Sequence, residues 1–328
     1  MTDVSIVVPF YRRHANLRNV VDALTKQRDV SFEVIISTPE CDDELAQICA
    51  PYDFIRTAAY ESTVWNVSQC RNVGIRAASA DIVLLLDADM IGCPELAARH
   101  VDAHCRATEP ILAAGCALGF APYNASDAAL SLEPDARWDL VDSAPLPWAF
   151  CWSGNLSMPR AKAGQFDETF CGWGAEDLEF SYRASRSRLE VRFLRDATAI
   201  HQPHERTVDK NVAEERSNFC RFLRKHPTID VELVVWLNDI EANRRYREII
   251  DSVAGAGGVP CAAVGRETLR LGATTVHTDE TALPILGVAT PFEDRTFRHV
   301  ETAGWMSALP ADLREAVARE AARIGGRP

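Results

Sequence analysis

Residues 82–90 read Ile-Val-Leu-Leu-Leu-Asp-Ala-Asp-Met, and the fold is decided there. Five apolar residues set between Asp81 and Asp87 mark a strand buried on both faces, as in a parallel sheet. The run closes in Asp87-Ala88-Asp89. Alternate residues at a strand end point the same way, so both carboxylates are placed to face one site beyond the sheet. In open α/β sheets, ligands bind outside the carboxyl ends of the strands. Two carboxylates there repel unless a cation lies between them, and hard divalent ions take such oxygen ligands. The competing reading has one aspartate capping the helix that Cys93-Pro94-Glu95 opens. Strand-end placement favours the ligand reading.

Upstream, residues 4–9 (VSIVVP) form a β-branched run closed by a proline. A helical pattern covers 15–27, with Leu17, Val20, Val21 and Leu24 at helix spacing. A second strand is predicted over 32–37, a short helix over 42–50 and a third strand over 53–57. This is the βαβ rhythm of a parallel doubly wound sheet. Residues 69–78 then form a helix that feeds the strand at 82. Arg71 falls on its first turns near the ligand end of the sheet, although a solvated arginine on an amphipathic helix reads the same way. Asn72 has no evident task.

Downstream, 111–115 reads as a strand and 124–148 as a long proline-containing loop over the active face. A strand is expected over 152–158. Gly172-Trp173-Gly174 then sets a large aromatic between two conformationally permissive residues. Glu176 and Asp177 follow on the first turn of a helix, where acids also favour the helix dipole. The glycine-flanked tryptophan beside them points to a site with an aromatic wall and a carboxylate. A short strand over 190–194 precedes His201, which follows an apolar pair and is placed to add a ligand to a cation on Asp89. His204 is a weaker candidate. Helical patterns over 213–226, 229–250 and 310–324 suggest a small, mainly helical C-terminal part.

The 328 residues, 47% hydrophobic and 25% charged, describe an ordinary globular chain with room for an α/β domain and an appendage. A net charge of −12 argues against a broad nucleic-acid or anionic-membrane surface. It leaves room for a phosphate-bearing substrate, because a divalent metal can carry the local positive charge. No signal peptide or membrane span is read. The ten cysteines form no C-x-x-C pair, so they read as reduced thiols and the expected location is cytoplasmic.

The blocks VSIVVPFYRR, CRNVGIRAASADIVLLLDADM and FDETFCGWGAEDLEFSYR together resemble the inverting glycosyltransferases of family 2. The last block is similar to the galactosyltransferase-type motif of chondroitin-polymerase and polypeptide-N-acetylgalactosaminyl-transferase domains. The resemblance covers residues 4–204. It implies the α/β GT-A fold: a Rossmann-like, mostly parallel sheet flanked by helices, binding a nucleotide-sugar over residues 1–210. Residues 211–328 would be a mainly helical extension. It further implies that Pro9 and Tyr11 line the nucleotide pocket and that Arg71 lies against the nucleotide or its phosphates. Asp87 would face the ribose and metal side, Asp89 would bind Mn2+ or Mg2+, and His201 would complete the metal shell. Trp173 and Glu176 would contact acceptor or donor sugar, and Asp177 would be the catalytic base. The donor would be a nucleotide-diphosphate sugar, a UDP-sugar by family habit, and the acceptor a saccharide, small molecule or peptide. The family commonly reads uracil with an acid after the second strand, where this chain has Ser37-Thr38-Pro39-Glu40. Ser37 or Glu40 would substitute, or the base is another one. A haloacid-dehalogenase-type phosphatase also uses Asp-x-Asp, but directly after its first strand and with Thr or Val following. A nucleotidyltransferase would need a Gly-rich loop after the first strand. A non-catalytic sugar-nucleotide or glycan-binding module is the alternative from outside enzymology.

Overall fold

The computed structural model describes residues 2–62, 64–119, 133–162, 164–203 and 208–326. Two compact units emerge: Met1–Asp142 with Pro147–Glu215, and Ser143–Leu146 with Arg216–Pro328. The first holds β1 (Val4–Pro9), α1 (His14–Leu24), β2 (Phe32–Thr38), α2 (Asp43–Cys49), β3 (Ile55–Ala59), α3 (Val67–Ala77) and β4 (Ile82–Leu86). It continues with β5 (Met90–Gly92), α4 (Leu96–Arg106), β6 (Ile111–Leu118), β7 (Asn155–Pro159), α5 (Glu176–Arg186) and β8 (Glu190–His201). All eight strands join one sheet in the order β3-β2-β1-β4-β7-β6-β8-β5.

The βαβ rhythm produces the parallel half, with Val4 opposite both Phe32 and Ile82. Both faces of β4 are covered, which is why its sequence shows no alternation. Leu84 and Leu86 pack with Ile6, Val8, Val34 and Ile36 on one side. Val83 and Leu85 pack with Val7, Ile35, Leu156 and Met158 on the other. Each such side chain contributes about 1.5–3 kcal/mol by leaving water. Helix α3 approaches the sheet through Gly74, where a β-carbon would sit 2.2 Å from Val7 Cγ1.

Three expectations need correction. The strand at 82 ends at Leu86, so Asp87-Ala88-Asp89 form a turn into β5 rather than alternate positions of one strand. It is parallel to β1 only; on its other edge β7 runs antiparallel, with Leu86 opposite Asn155. The strand expected to stop at 194 runs on to His201, with a register shift against β6 between Gly115 and Cys116. His201 is therefore held on a strand opposite Met90 and not in a loop. Of the long loop expected over 124–148, residues 124–132 lie outside the described residues. The remainder contains two short 3-10 turns, Ala136–Asp139 and Pro147–Phe150.

Helix α6 (Val208–Lys225) follows in the chain, and then α7 (Ile229–Leu237) and α8 (Asp239–Gly255) of the second unit. The single helix expected over 229–250 is interrupted at Asn238, whose φ is +75° and whose side chain accepts the Glu241 N–H at 3.0 Å. Beyond it come β9 (Ala262–Val264), β10 (Thr268–Leu271), β11 (Thr281–Leu283), β12 (His299–Thr302) and α9 (Ala311–Ile324). The four strands form a small sheet, ordered β11-β9-β10-β12, that the sequence reading had not placed. Fully buried Glu232 on α7 accepts the backbone N–H groups of Leu286, Gly287, Val288 and Ala289 at 2.5–3.2 Å. Burial nevertheless pushes its carboxyl up to about 7. No described helix is long and apolar enough to cross a membrane.

Candidate active site

Helix α3, the turn after β4 and the start of α5 meet around one guanidinium. Arg71 is 3% exposed. Its Nη2 donates to Asp87 Oδ1 at 3.2 Å and its Nη1 to Glu176 Oε1 at 3.0 Å. The Phe166 ring lies beneath it, 5.3 Å from Cζ to centroid. The two carboxylates hold Arg71 charged against the cost of its burial. Asp87 is anchored through its backbone, donating its N–H to the Gly154 carbonyl at 3.1 Å. Two buried atoms in this cluster, Arg71 Nε and Glu176 Oε2, have no hydrogen-bond partner among the described residues.

Asp177 is placed by an unusual lead-in to α5. Gly172, Gly174 and Ala175 have φ of +79°, +94° and +67°. For alanine this left-handed conformation costs about 1–2 kcal/mol, a strain of the sort found at functional sites. Ala175 is the left-handed N-cap, and Glu176 and Asp177 are the first two residues of the helix. Glu176 takes the Arg71 hydrogen bond, whereas Asp177 Oδ1 accepts the Leu178 N–H at 2.8 Å. Burial, reinforced by the Glu176 carboxylate and opposed by Arg71, pushes the Asp177 carboxyl up to about 7. A proton acceptor that titrates near neutrality suits general-base chemistry.

Asp89 belongs to a second group. It is 4% exposed, and Arg13 Nη1 donates to its Oδ2 at 2.7 Å. His201 Nε2 lies 3.9 Å from its Oδ1. The β5–β8 pairing brings these together, since Met90 faces His201 and the Gln202 N–H donates to the Asp89 carbonyl at 2.8 Å. Among the described residues, no cluster of three or more His, Cys, Asp or Glu side chains is arranged to hold a metal ion. Asp89 and His201 are nonetheless the side chains that would hold a divalent ion here, one oxygen donor and one imidazole nitrogen side by side. Magnesium-type sites commonly take one or two protein ligands and complete the shell with substrate phosphates and water. The donor set fits such a metal.

The remaining sequence-derived residues have partners of their own. Pro9 ends β1, buried and opposite Ser37. Tyr11 stacks on Trp65 with centroids 5.2 Å apart and planes 10° from parallel, and Arg12 lies over Tyr11. Trp173 is 41% exposed, and its backbone N–H donates to Glu214 Oε2 on α6 at 3.1 Å. Ser37 cannot stand in for the missing acid. It is 0% exposed and engaged by the Cys70 thiol, which donates to its carbonyl at 2.8 Å. Glu40 is exposed, with Arg12 at 3.6 Å. His204 lies outside the described residues.

Sequence reasoning passed over three residues. Asn72 exchanges hydrogen bonds with the Phe166 backbone at 2.8 and 2.9 Å and donates to Glu168 Oε1, fixing the segment that leads to α5. Arg13 faces Asp89. Glu214 holds the Trp173 turn. Arg13 and Asn72 carried a signal, since both fall inside the quoted blocks VSIVVPFYRR and CRNVGIRAASADIVLLLDADM, whereas Glu214 lies in none of them.

The sheet and its flanking helices have the fold of the GT-A glycosyltransferases. S. aureus TarS residues 1–349 in complex with UDP superpose with a TM-score of 0.51 at 18% identity, over 75% of this chain and 69% of TarS 1–349. Mannosyltransferase PcManGT from Pyrobaculum calidifontis, in complex with GDP-Man and Mn2+, gives 0.53 at 14% identity, over 79% and 77% of the two chains. Residues 5–115 match the model of glycosyl transferase family 2, and with the curated relatives this makes the chain a glycosyltransferase. It is 29% identical over 307 residues to the validoxylamine A glucosyltransferase of Streptomyces hygroscopicus subsp. limoneus, an alignment spanning 81% of this chain and 68% of that protein. These matches support assignment to family 2.

Proposed function

We propose that the protein transfers a sugar from a nucleotide-diphosphate sugar, a UDP-sugar in the first instance, to an acceptor hydroxyl by a single inverting displacement. The observation that carries the reading is the division of labour between the adjacent acids. Glu176 is committed to Arg71, while Asp177 stands beside it with its carboxyl raised towards neutrality. Asp177 accepts the proton of the attacking hydroxyl. Arg71 fixes Asp87 and Glu176 through its two terminal nitrogens, so that little reorganisation is left to the reaction. Trp173 offers a flat apolar face to a sugar ring, and the Tyr11–Trp65 stack does the same for a base beside Pro9. Asp89 and His201 would hold Mn2+ or Mg2+, which when bound neutralises charge gathering on the leaving diphosphate.

The UDP and GDP-Man complexes of the two structural neighbours support a nucleotide-diphosphate donor. The name of the Streptomyces relative supports a glucosyl group. The decisive assay offers UDP-, GDP- and ADP-glucose with Mn2+ and follows hydrolysis and transfer. Asp177→Asn is expected to bind the donor as the parent does and to lose at least ~100-fold in transfer, the usual scale for a general base. Near-normal turnover in that variant would remove Asp177 from the mechanism. Donor binding with no turnover in the parent for any sugar-nucleotide and acceptor would instead make the protein a binding module.

A further inference from the structure

We propose that Arg13 is a built-in counter-cation for Asp89, so that a divalent ion enters this site together with a nucleotide diphosphate and poorly without one. The proposal rests on the reading of Asp89 and His201 as the metal's ligands. Arg12 adopts φ +56°, which turns the chain between β1 and α1 and sends the two consecutive arginines in different directions. Arg12 goes over Tyr11 and towards Glu40. Arg13 takes the N-cap position of α1, which has no side-chain cap hydrogen bond, and reaches Asp89 Oδ2 at 2.7 Å. The Asp89 side chain is 6% exposed and that of Arg13 is 44% exposed. A buried anion is thus covered by a cation whose side chain is nearly half exposed.

A guanidinium remains charged at every accessible pH. A divalent ion held by Asp89 and His201 would share the carboxylate that Arg13 already pairs with, and repulsion around a buried carboxylate is weakly screened. A diphosphate changes the balance. Its oxygens suit the planar fork of an arginine, and the half-exposed side chain can leave Asp89 for them without unpacking the core. Metal and nucleotide then assist each other, and the coupling is necessarily reciprocal.

The test compares the parent with Arg13→Ala and Arg13→Lys in two titrations. Mn2+ binding to the protein alone is followed by electron paramagnetic resonance. Binding of UDP, and of GDP because the base is open, is followed by calorimetry at saturating Mn2+. In Arg13→Ala, Mn2+ affinity without nucleotide is expected to rise ~10-fold while nucleotide affinity with Mn2+ falls ~10-fold, within the usual range of coupling between sites. Arg13→Lys should lie between parent and alanine in both. Opposite signs in one variant separate displacement from simple damage to the site, which weakens both. Unchanged or weaker Mn2+ binding to Arg13→Ala alone, in a parent that binds Mn2+ with nucleotide, overturns the proposal and leaves the metal site standing. Asp89→Ala matching the parent in Mn2+–nucleotide binding would remove the metal site, and the proposal with it.

Discussion

Asp177 and Arg71 show how single side chains make the site conditional on pH. A base whose carboxyl titrates at about 7 is half protonated there, so turnover should climb as pH rises through 7 and level off above it. A kcat profile recorded from pH 5.5 to 8.5 checks this; a flat profile down to pH 5.5 would mean that another group accepts the proton. The same shift has a stability consequence of defined sign. An acid with a raised folded pKa binds its proton more tightly in the folded chain than in the unfolded one, so ionisation between about 4 and 7 works against folding. Asp177→Asn should therefore melt at or above the parent temperature at pH 8 while losing transfer. Arg71 is the opposite case. With two acidic partners around a buried guanidinium, its replacement by Ala strands Asp87 and Glu176 and should cost about 3–5 kcal/mol, read from urea unfolding.

At the scale of the element, the start of α5 is the piece that turns sequence into chemistry. Three left-handed residues within four positions set the helix so that its first turn carries the acids. The surrounding chain holds this strained turn. Asn72 fixes the segment at Phe166–Glu168, and Glu214 receives the Trp173 N–H. Gly174→Ala would place a β-carbon 3.3 Å from Glu215 Cγ at a φ of +94°, a conformation that costs an L-residue about 1–2 kcal/mol. The expected outcome is a loss of that size in chemical denaturation, together with a fall in kcat larger than any change in donor KM. An unaltered kcat would show that the acids do not depend on the turn.

Across the molecule, the balance of buried titratable groups sets how stability varies with pH. His100, fully buried on α4, hydrogen-bonds with Ser157 at 2.8 Å and Asn155 at 2.9 Å, and His104 shares Ser157. Burial lowers both imidazoles to about 4, against about 6.5 in an unfolded chain. The unfolded state then binds more protons between pH 6.5 and 4, and stability falls as pH drops through that window, by up to about 1.4 kcal/mol per unit for His100. Glu232 and Asp177 pull the other way, since their raised carboxyls favour the folded state as pH falls from about 7. The histidine contribution is isolated by comparing parent with His100→Gln. The variant should be less stable at pH 7.5 and lose less stability on going to pH 5, as measured by urea midpoints.

The order of strands and helices through Leu86 was legible in the sequence, because hydrophobic periodicity and turn residues act over a few positions. So was the pair of acidic motifs. Strand partners were not legible: an apolar run reads the same beside a parallel or an antiparallel neighbour, and β7 joins β4 from beyond a long connection. Nor were the charge partners. Arg71 and Glu176 are 105 residues apart, Arg13 and Asp89 are 76, and no local pattern records which cation a carboxylate will meet. Ser37 could be aimed at a base or at a helix until α3 closed over it through Cys70 and Gly74. Residue types and their local rhythm supplied the chemistry available to this chain; long-range packing decided which groups stand together.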